Sequence, residues 1–328
     1  MEQTVSVKNL KKYYRVFEKE PGISGAIKQV WARKYKDVKA VDGISFSIGA
    51  GELVGFIGPN GAGKTTTLKV LSGLLYPTAG AVKVEGFTPW ERKSDFLKQI
   101  SLVMGQKNQL WWELPAIETF LLNKAIYEIP DKKFEKNLSE LSRLLEVEGL
   151  LRIPVRRLSL GQRMKMELIA ALIHSPKILF LDEPTIGLDV VMQKTLRDFI
   201  KTYNEKYKAT IILTSHYMGD VRELAKRVII IDRGKIIYDG LLEDVVRRFA
   251  KEKIINIVFS KEPDPKKLAS IGDVIDYNFP RATLSIPNES TPVTAAEILR
   301  KFSVADITIE DTPIEEIIRE VFSGGKVK

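Results

Sequence analysis

The sequence has no cysteine and only two histidines, His174 and His216, among its 328 residues. The lack of cysteine excludes disulfide bonds, thiolate zinc sites and a cysteine nucleophile, and two histidines exclude a histidine-rich metal site. Long apolar runs are also missing, because the longest fall far short of the roughly twenty residues that a membrane-spanning helix needs. No apolar segment of the signal-peptide kind stands at the start. These absences predict a cytoplasmic protein.

Positive charge is concentrated near the start of the chain. The net charge is +9, and residues 8–39 hold ten Lys or Arg against three acids. Such a patch suits an anionic membrane surface or nucleic acid, and a solvated loop is the plain alternative. Within it, residues 15–37 form an insertion in which Ile23, Ile27, Val30 and Trp31 follow helical spacing. This pattern predicts a short basic amphipathic helix.

The stretch 53–73 predicts a phosphate-binding loop between a buried strand and an amphipathic helix. Gly58, Gly61 and Gly63 let the backbone curl so that successive N–H groups point at an anion, and the following helix adds its N-terminal partial charge. Lys64 would reach the β- and γ-phosphates, and the Thr65 hydroxyl would bind Mg²⁺. A glycine turn with a surface lysine is the alternative. The strand before the loop and the helix after it favour an ATP or GTP site.

Four polar residues each follow an apolar strand, where the strands of an open α/β sheet face their ligand. Asp182 would hold Mg²⁺, and Glu183 would polarise the attacking water as general base. His216 would contact the γ-phosphate, and Gln106 would ligate Mg²⁺ and position water. An acidic helix cap, a structural histidine and a surface glutamine are the alternatives.

Taken in order, these motifs resemble those of the ATPase subunit of an ABC transporter. Residues 58–65 match Walker A, Gln106 the Q-loop, LSLGQ at 158–162 the signature, ILFLDE at 178–183 Walker B, 187–189 the D-loop and His216 the switch histidine. The resemblance covers about residues 4–243. It departs at Leu160, which stands where the family has the first glycine of the signature.

The resemblance implies an α/β fold of the P-loop NTPase type, with a mostly parallel core sheet, an antiparallel β part and an inserted helical subdomain at about 107–160. It also implies that two copies pack head to tail, so that Ser159 and Gly161 of one cover the ATP held by the other. Tyr14 would stack on adenine. The remaining nucleotide-binding residues it implies are Gly58, Pro59, Asn60, Gly61, Ala62, Gly63, Lys64, Thr65, Thr66, Ser159, Gly161, Gln162 and Asp189, with Thr65, Gln106 and Asp182 on Mg²⁺.

The chain beyond the resemblance predicts a second, smaller domain. Residues 1–243 would form the nucleotide-binding domain, 244–253 a linker helix and 254–328 a small α+β domain. Alternating patterns predict strands over 254–260, 274–278, 283–286 and 305–310, and helices over 292–301 and 313–322. No glycine-rich loop, histidine or acid cluster marks this domain as catalytic, which favours a regulatory or assembly role.

One nucleotide domain with a small appended domain resembles the exporter-type ATPases, which work with a separate permease chain at the cytoplasmic face of the membrane. Trp111 and Trp112 lie where such ATPases receive the permease, and burial in the helical subdomain is the alternative. The ATPase pair is either two copies of this chain or this chain with a related one.

The rival function is a soluble ABC ATPase acting on ribosomes or nucleic acid, but such proteins commonly carry two nucleotide domains or a long coiled coil, which this chain lacks. A regulator with little turnover is disfavoured by the presence of Glu183 and His216.

Overall fold

The computed structural model describes residues 3–17, 35–105, 109–215, 217–249 and 252–322. The chain divides into two compact units, Met1–Gly240 and Leu241–Lys328. The helix predicted within the basic insertion lies outside the described residues, as do Gln106 and His216. Among the described residues, no helix combines the length and the apolar composition needed to cross a bilayer.

The first unit contains two sheets. Its strands are β1 (Gln3–Phe17), β2 (Tyr35–Gly49), β3 (Leu53–Ile57), β4 (Ala79–Val84), β5 (Ile100–Met104), β6 (Ile178–Asp182), β7 (Thr210–Thr214), β8 (Arg227–Asp232) and β9 (Lys235–Leu241). Strands β2, β1 and β4 form an antiparallel three-stranded sheet, and β5, β6, β7, β3, β8 and β9 form, in that order, a six-stranded sheet whose first five strands are parallel. The predicted combination of a mostly parallel sheet with an antiparallel part is confirmed.

The central strands are apolar without interruption because both of their faces are buried. In β6, Phe180 packs into a core shared with the antiparallel sheet, whereas Leu179 and Leu181 pack into the core on the other face. In β7 the same alternation places Ile212 on the first face and Ile211 on the second. A parallel sheet covered on both sides requires such strands.

Helices cover the parallel sheet and form the helical subdomain. They are α1 (Lys64–Leu71), α2 (Ser94–Leu97), α3 (Ala116–Ile126), α4 (Asp131–Leu144), α5 (Leu160–Leu172), α6 (Val190–Tyr207) and α7 (Met218–Leu224). Pro130 caps the start of α4, as expected of a residue with no N–H to leave unpaired. The side chains of Trp111 and Trp112 are 54% and 44% exposed, so the alternative in which both are buried in the subdomain core is wrong.

The two strands that flank the basic insertion are longer than predicted. Strand β1 continues to Phe17 and β2 begins at Tyr35, and these two residues are paired across the ladder. Residues 15–17 and 35–37, which were predicted to belong to the insertion, are therefore strand. The polar and apolar alternation fades there because the pair leaves the core, and Val16, Tyr35 and Val38 are exposed.

The second unit is an antiparallel sheet with helices. It contains α8 (Leu242–Phe249), β10 (Glu252–Phe259), α9 (Pro265–Ala269), β11 (Asp273–Asn278), β12 (Arg281–Pro287), α10 (Thr291–Lys301), β13 (Val304–Asp311) and α11 (Ile314–Phe322), with the strands in the order β11-β12-β10-β13. One face of the sheet buries Ile255, Ile257, Leu284 and Ile286 with Ile298 of α10.

The linker helix predicted over 244–253 is wrong in its extent. The helix there, α8, begins at Leu242, and Glu252 already belongs to β10. Val245 is 1% exposed, and α8 packs against α11. The helix is thus part of the second unit's own packing, since its apolar residues need a partner surface to be buried.

Candidate nucleotide site

The glycine-rich loop lies between β3 and α1, as the sequence predicts. Gly61 has φ +77° and Gly63 has φ +111°, backbone conformations that L side chains rarely adopt. A Cβ on Gly63 would collide with the carbonyl of Ala40 in β2, and one on Gly58 would collide with the carbonyl of Ile231 in β8. The loop is therefore wedged between two strands, which hold its backbone in shape.

Lys64 is the first residue of α1, and its side chain folds back over the loop. Its ammonium donates hydrogen bonds to the carbonyls of Gly58 at 2.7 Å and of Pro59 at 3.1 Å. Burial lowers the pKa of this ammonium, and the nearby carboxylates of Glu183 and Asp182 oppose that shift. The side chain thus places a buried cation within the loop that is predicted to bind phosphates.

Thr65 and Asp182 meet although 117 residues separate them. The Thr65 hydroxyl lies 2.8 Å and 3.1 Å from the two carboxylate oxygens of Asp182. The Thr214 hydroxyl, at the end of β7, donates to the same carboxylate at 2.7 Å. Oxygen atoms of hydroxyl and carboxylate groups are the ligands that Mg²⁺ prefers, so Thr65 and Asp182 fit the ion.

Glu183 is the residue after β6, and its backbone is held in the left-handed region at φ +55°. Its N–H donates to both the carbonyl and the hydroxyl oxygen of Thr214, each at 3.1 Å. A Cβ on Gly105, which follows β5, would collide with the carbonyl of Glu183. A non-glycine residue with left-handed backbone angles carries strain, so the contacts with Thr214 and Gly105 must hold Glu183 in this conformation. The backbone therefore turns at Glu183 out of the direction of β6.

The signature residues start helix α5. Ser159 caps it through a capping box, in which its hydroxyl accepts from the N–H of Gln162 at 3.2 Å and the Gln162 side chain accepts from the N–H of Ser159 at 3.0 Å. Among the described residues, neither side chain hydrogen-bonds to the phosphate loop. Leu160, the departure from the family pattern, is 40% exposed. Ser159 is exposed too, so the start of the helix is accessible to a partner.

The D-loop packs against the signature within the same chain. Asp189 caps α6 by accepting from the N–H of Met192 at 2.8 Å. The side chain of Met192 lies directly over Gly161, where an added Cβ would meet its Cγ at 2.7 Å. The cap at Asp189 fixes the start of α6 at Val190.

Tyr14 lies on β1 with a half-buried ring, and the ammonium of Lys12 lies 5.1 Å from the ring centroid. Its ladder partner is Val38 of β2, two residues before Ala40. Adenine stacking by Tyr14 stays a prediction, and so do the roles of Gln106 and His216.

Sequence analysis missed a buried polar network beside the site. Asp220 of α7 is 0% exposed and accepts hydrogen bonds from Thr185 at 2.5 Å, Ser215 at 2.7 Å and Arg197 at 3.0 Å. Arg197 also donates to Glu223 at 2.7 Å. The network joins the segment after Glu183 to the residue before His216. The one available signal was the polar pair Thr214-Ser215 at the end of an apolar strand.

Comparisons with known proteins agree with this geometry. The ABC transporter family profile matches residues 41–186, and the profile described as the EvrA-like ABC transporter C-terminal domain matches residues 251–310. The ABC transporter ATP-binding protein NatA of Bacillus subtilis is 34% identical over 228 residues, which are 70% of this chain and 92% of NatA. This chain belongs to the ABC transporter ATP-binding family. The fold is that of an ABC-type ATPase, and the chain binds and hydrolyses ATP.

Two further relatives bear on how this ABC ATPase works. The daunorubicin resistance ATP-binding protein DrrA3 of Streptomyces coeruleorubidus is 29% identical over 294 residues, 88% of this chain and 92% of DrrA3. Among solved structures, a dimeric ATP-binding cassette in a post-hydrolysis state with ADP and phosphate aligns with a TM-score of 0.60 and 25% identity, covering 73% of this chain and 98% of that one. ABC ATP-binding subunits of this family work as dimers with transmembrane chains.

Proposed function

We propose that this chain powers the export of a substrate across the cytoplasmic membrane by hydrolysing Mg²⁺-ATP, together with a separate permease chain. The observation that carries the proposal is the contact between the Thr65 hydroxyl and the Asp182 carboxylate, because it brings together two oxygen groups that would fit Mg²⁺ beside a phosphate loop. The export direction is supported by the relative named for daunorubicin resistance, which spans both units of this chain.

In this proposal each residue around the phosphates has a role. Lys64 exchanges its carbonyl partners for the β- and γ-phosphate oxygens, and the loop N–H groups surround the same oxygens. Thr65 and Asp182 hold Mg²⁺, which when bound neutralises developing charge on the phosphate oxygens. Glu183 accepts the proton of the attacking water. Gln106 and His216 contribute as the family pattern implies, Gln106 on Mg²⁺ and His216 at the γ-phosphate.

A second ATPase chain completes the site. Ser159 and Leu160, at the start of α5, are exposed, and the helix dipole favours an anion there. We assign Ser159 and this helix N-terminus, with Gly161, Gln162 and Asp189, to the ATP held by the partner in a head-to-tail pair. The dimeric relative with ADP and phosphate supports this arrangement. ATP then joins the two chains, and hydrolysis releases them.

The permease binds at an exposed apolar surface of the helical subdomain. We call this the docking surface; it comprises the exposed residues Trp111, Trp112, Leu114, Leu121, Leu122 and Ile126. Large apolar side chains grouped on a surface mark interaction sites, and tryptophan is enriched in their centres. Attachment here places the chain at the cytoplasmic face of the membrane.

The test is affinity purification of the tagged full chain from native membranes, with mass spectrometry of the chains that accompany it. We expect a stoichiometric partner that contains several apolar segments of about twenty residues. The variant Trp111→Ser/Trp112→Ser should lose this partner and keep ATP binding. Its matched control, Val293→Ser/Leu299→Ser, removes two apolar side chains that are 71% and 55% exposed on α10 and should keep the partner. Recovery of ribosomal proteins or nucleic acid in place of a membrane chain would overturn the export proposal.

A further inference from the structure

One buried carboxylate joins the signature helix, α5, to residues 109–114, the segment that carries Trp111 and Trp112. Glu167 lies on α5 and is 5% exposed. Its Oε1 accepts hydrogen bonds from the backbone N–H of Gln109 at 2.7 Å and from that of Leu110 at 3.1 Å. Its Oε2 is buried and has no hydrogen-bond partner among the described residues. A buried carboxylate with one unpaired oxygen is costly, so the two backbone hydrogen bonds must be its main compensation.

The same face of α5 makes a second contact with this segment. Arg163 precedes Glu167 by four residues, the spacing that places two side chains on one helix face. Its guanidinium lies 4.7 Å from the centroid of the Trp112 ring. This is the geometry of a cation–π contact, which is stronger when the cation is partly desolvated. The Arg163 Nε is buried. One helix face therefore contacts the segment at Gln109, Leu110 and Trp112.

The residues that lead into the signature also contact the segment. The N–H of Arg156 donates to the carbonyl of Trp112 at 3.0 Å, and the N–H of Val155 donates to that of Leu114 at 3.0 Å. Arg156 also forms an ion pair with Glu113 at 2.9 Å. Residues 109–114 are thus fixed to both the approach to Ser159 and the body of α5. Backbone bonded in this way cannot move without the helix.

We propose that Glu167, assisted by Arg163, is a positioning residue that makes residues 109–114 and the signature helix one mechanical element. The inference rests on the proposed function, because it connects the surface assigned to the permease with the residues assigned to the partner's ATP. When Trp111 and Trp112 are displaced, the start of α5 is displaced with them. Conversely, when the two ATPase chains close on the ATP that Ser159 contacts, Trp111 and Trp112 move with the helix.

The proposed connection requires Glu167 to accept hydrogen bonds from Gln109 and Leu110, and it does not require a negative charge. Burial raises the pKa of Glu167, while the N–H groups of Gln109 and Leu110 oppose the shift. A glutamine at this position has the same shape and one carbonyl oxygen that can accept both N–H groups. A leucine fills the space and offers no acceptor. The pair Glu167→Gln and Glu167→Leu therefore separates hydrogen bonding from packing.

The test compares these two variants with the wild-type chain by hydrogen exchange and by ATPase kinetics. In Glu167→Leu, the amides of residues 109 and 110 should exchange at least about tenfold faster, because they lose a buried acceptor. In the wild type, the exchange of residues 109–114 should respond to Mg²⁺ with the non-hydrolysable analogue AMP-PNP, and in Glu167→Leu it should not. The kcat for ATP should fall about tenfold with KM unchanged, since the phosphate loop is untouched. Glu167→Gln should behave as the wild type in each measurement.

Two outcomes overturn the inference. One is a Glu167→Leu chain whose residues 109–114 still respond to AMP-PNP and whose kcat equals that of the wild type. The other is a loss of kcat in Glu167→Gln equal to that in Glu167→Leu. If the leucine variant does not fold, Arg163→Met serves instead and should reduce kcat and the AMP-PNP response together. Failure of the proposed function is distinct, because the wild-type chain would then recover no membrane partner in the affinity purification, whereas its exchange would still respond to AMP-PNP.

Discussion

The buried network around Asp220 offers a sharp test of how the first unit is held together. Asp220 is 0% exposed and accepts three hydrogen bonds, from Thr185, Ser215 and Arg197. The change Asp220→Ala leaves the Arg197 guanidinium, whose side chain is 11% exposed, without its buried partner. Breaking a buried pair in this way costs about 3–5 kcal/mol. Because Arg197 keeps Glu223 as a second partner, we expect the lower end, about 3 kcal/mol.

The control variant is Glu223→Ala, which removes the other acceptor of the same arginine. The Glu223 side chain is 52% exposed, so solvent screens its pairing with Arg197. Exposed ion pairs contribute at most about 1 kcal/mol. The two variants thus remove one carboxylate each from the same cation. They differ in the burial of that carboxylate and in the hydroxyl groups of Thr185 and Ser215, which donate to Asp220.

Tryptophan fluorescence during urea denaturation measures the difference. All four tryptophans, Trp31, Trp90, Trp111 and Trp112, fall within the unit Met1–Gly240, so the signal follows that unit alone. If the slope of the unfolding free energy against urea concentration is the same in all three chains, the variants alter stability and not the extent of unfolding. If Asp220→Ala costs no more than Glu223→Ala, the reasoning from burial is refuted.

Two further predictions concern other buried polar groups of the first unit. Burial lowers the pKa of His174 to about 4 from its ordinary value of 6.5. The unfolded chain therefore binds the proton more readily, and stability falls as the pH drops from about 6.5 to 4. Relative to His174→Phe, the wild type should therefore lose about 2 kcal/mol between pH 7.5 and pH 5 in urea denaturation, and equal losses would contradict this. Thr214→Val removes a hydroxyl that donates to Asp182 and should raise the Mg²⁺ concentration for half-maximal hydrolysis about tenfold. Thr210→Val, at the other end of β7, should leave that concentration unchanged.

The parts of the fold that could be predicted from the sequence are those in which each residue responds to its immediate neighbours. Strand β6 was located because both of its faces are buried, and the phosphate loop because its glycines adopt backbone angles that other residues resist. Strand ends were predicted less well. The pairing of Phe17 with Tyr35 depends on a partner strand, and neither residue carries a local signal for it.

The candidate site shows the same division. Lys64, Thr65 and Asp182 could be found because each stands at a fixed offset from a loop or from a strand end. Asp220 and Glu167 could not, because nothing in the sequence around either one says which backbone or hydroxyl groups it will meet. Their partners come from other elements, 35 residues away for Thr185 and 58 for Gln109. Long-range hydrogen bonds of this kind are decided by the fold as a whole.

The carboxyl edge of the parallel sheet is held in its working arrangement by the protein's own groups. Thr214 fixes both acidic residues there, donating to the carboxylate of Asp182 and accepting from the N–H of Glu183. The strained backbone of Glu183 persists because that hydrogen bond and the close approach of Gly105 leave it no alternative. The ammonium of Lys64 donates hydrogen bonds to the carbonyls of Gly58 and Pro59 in the loop. Apart from Lys64, whose ammonium has to exchange these carbonyls for phosphate oxygens, the groups at this edge are already positioned by folding, which lowers the reorganisation cost of binding ATP.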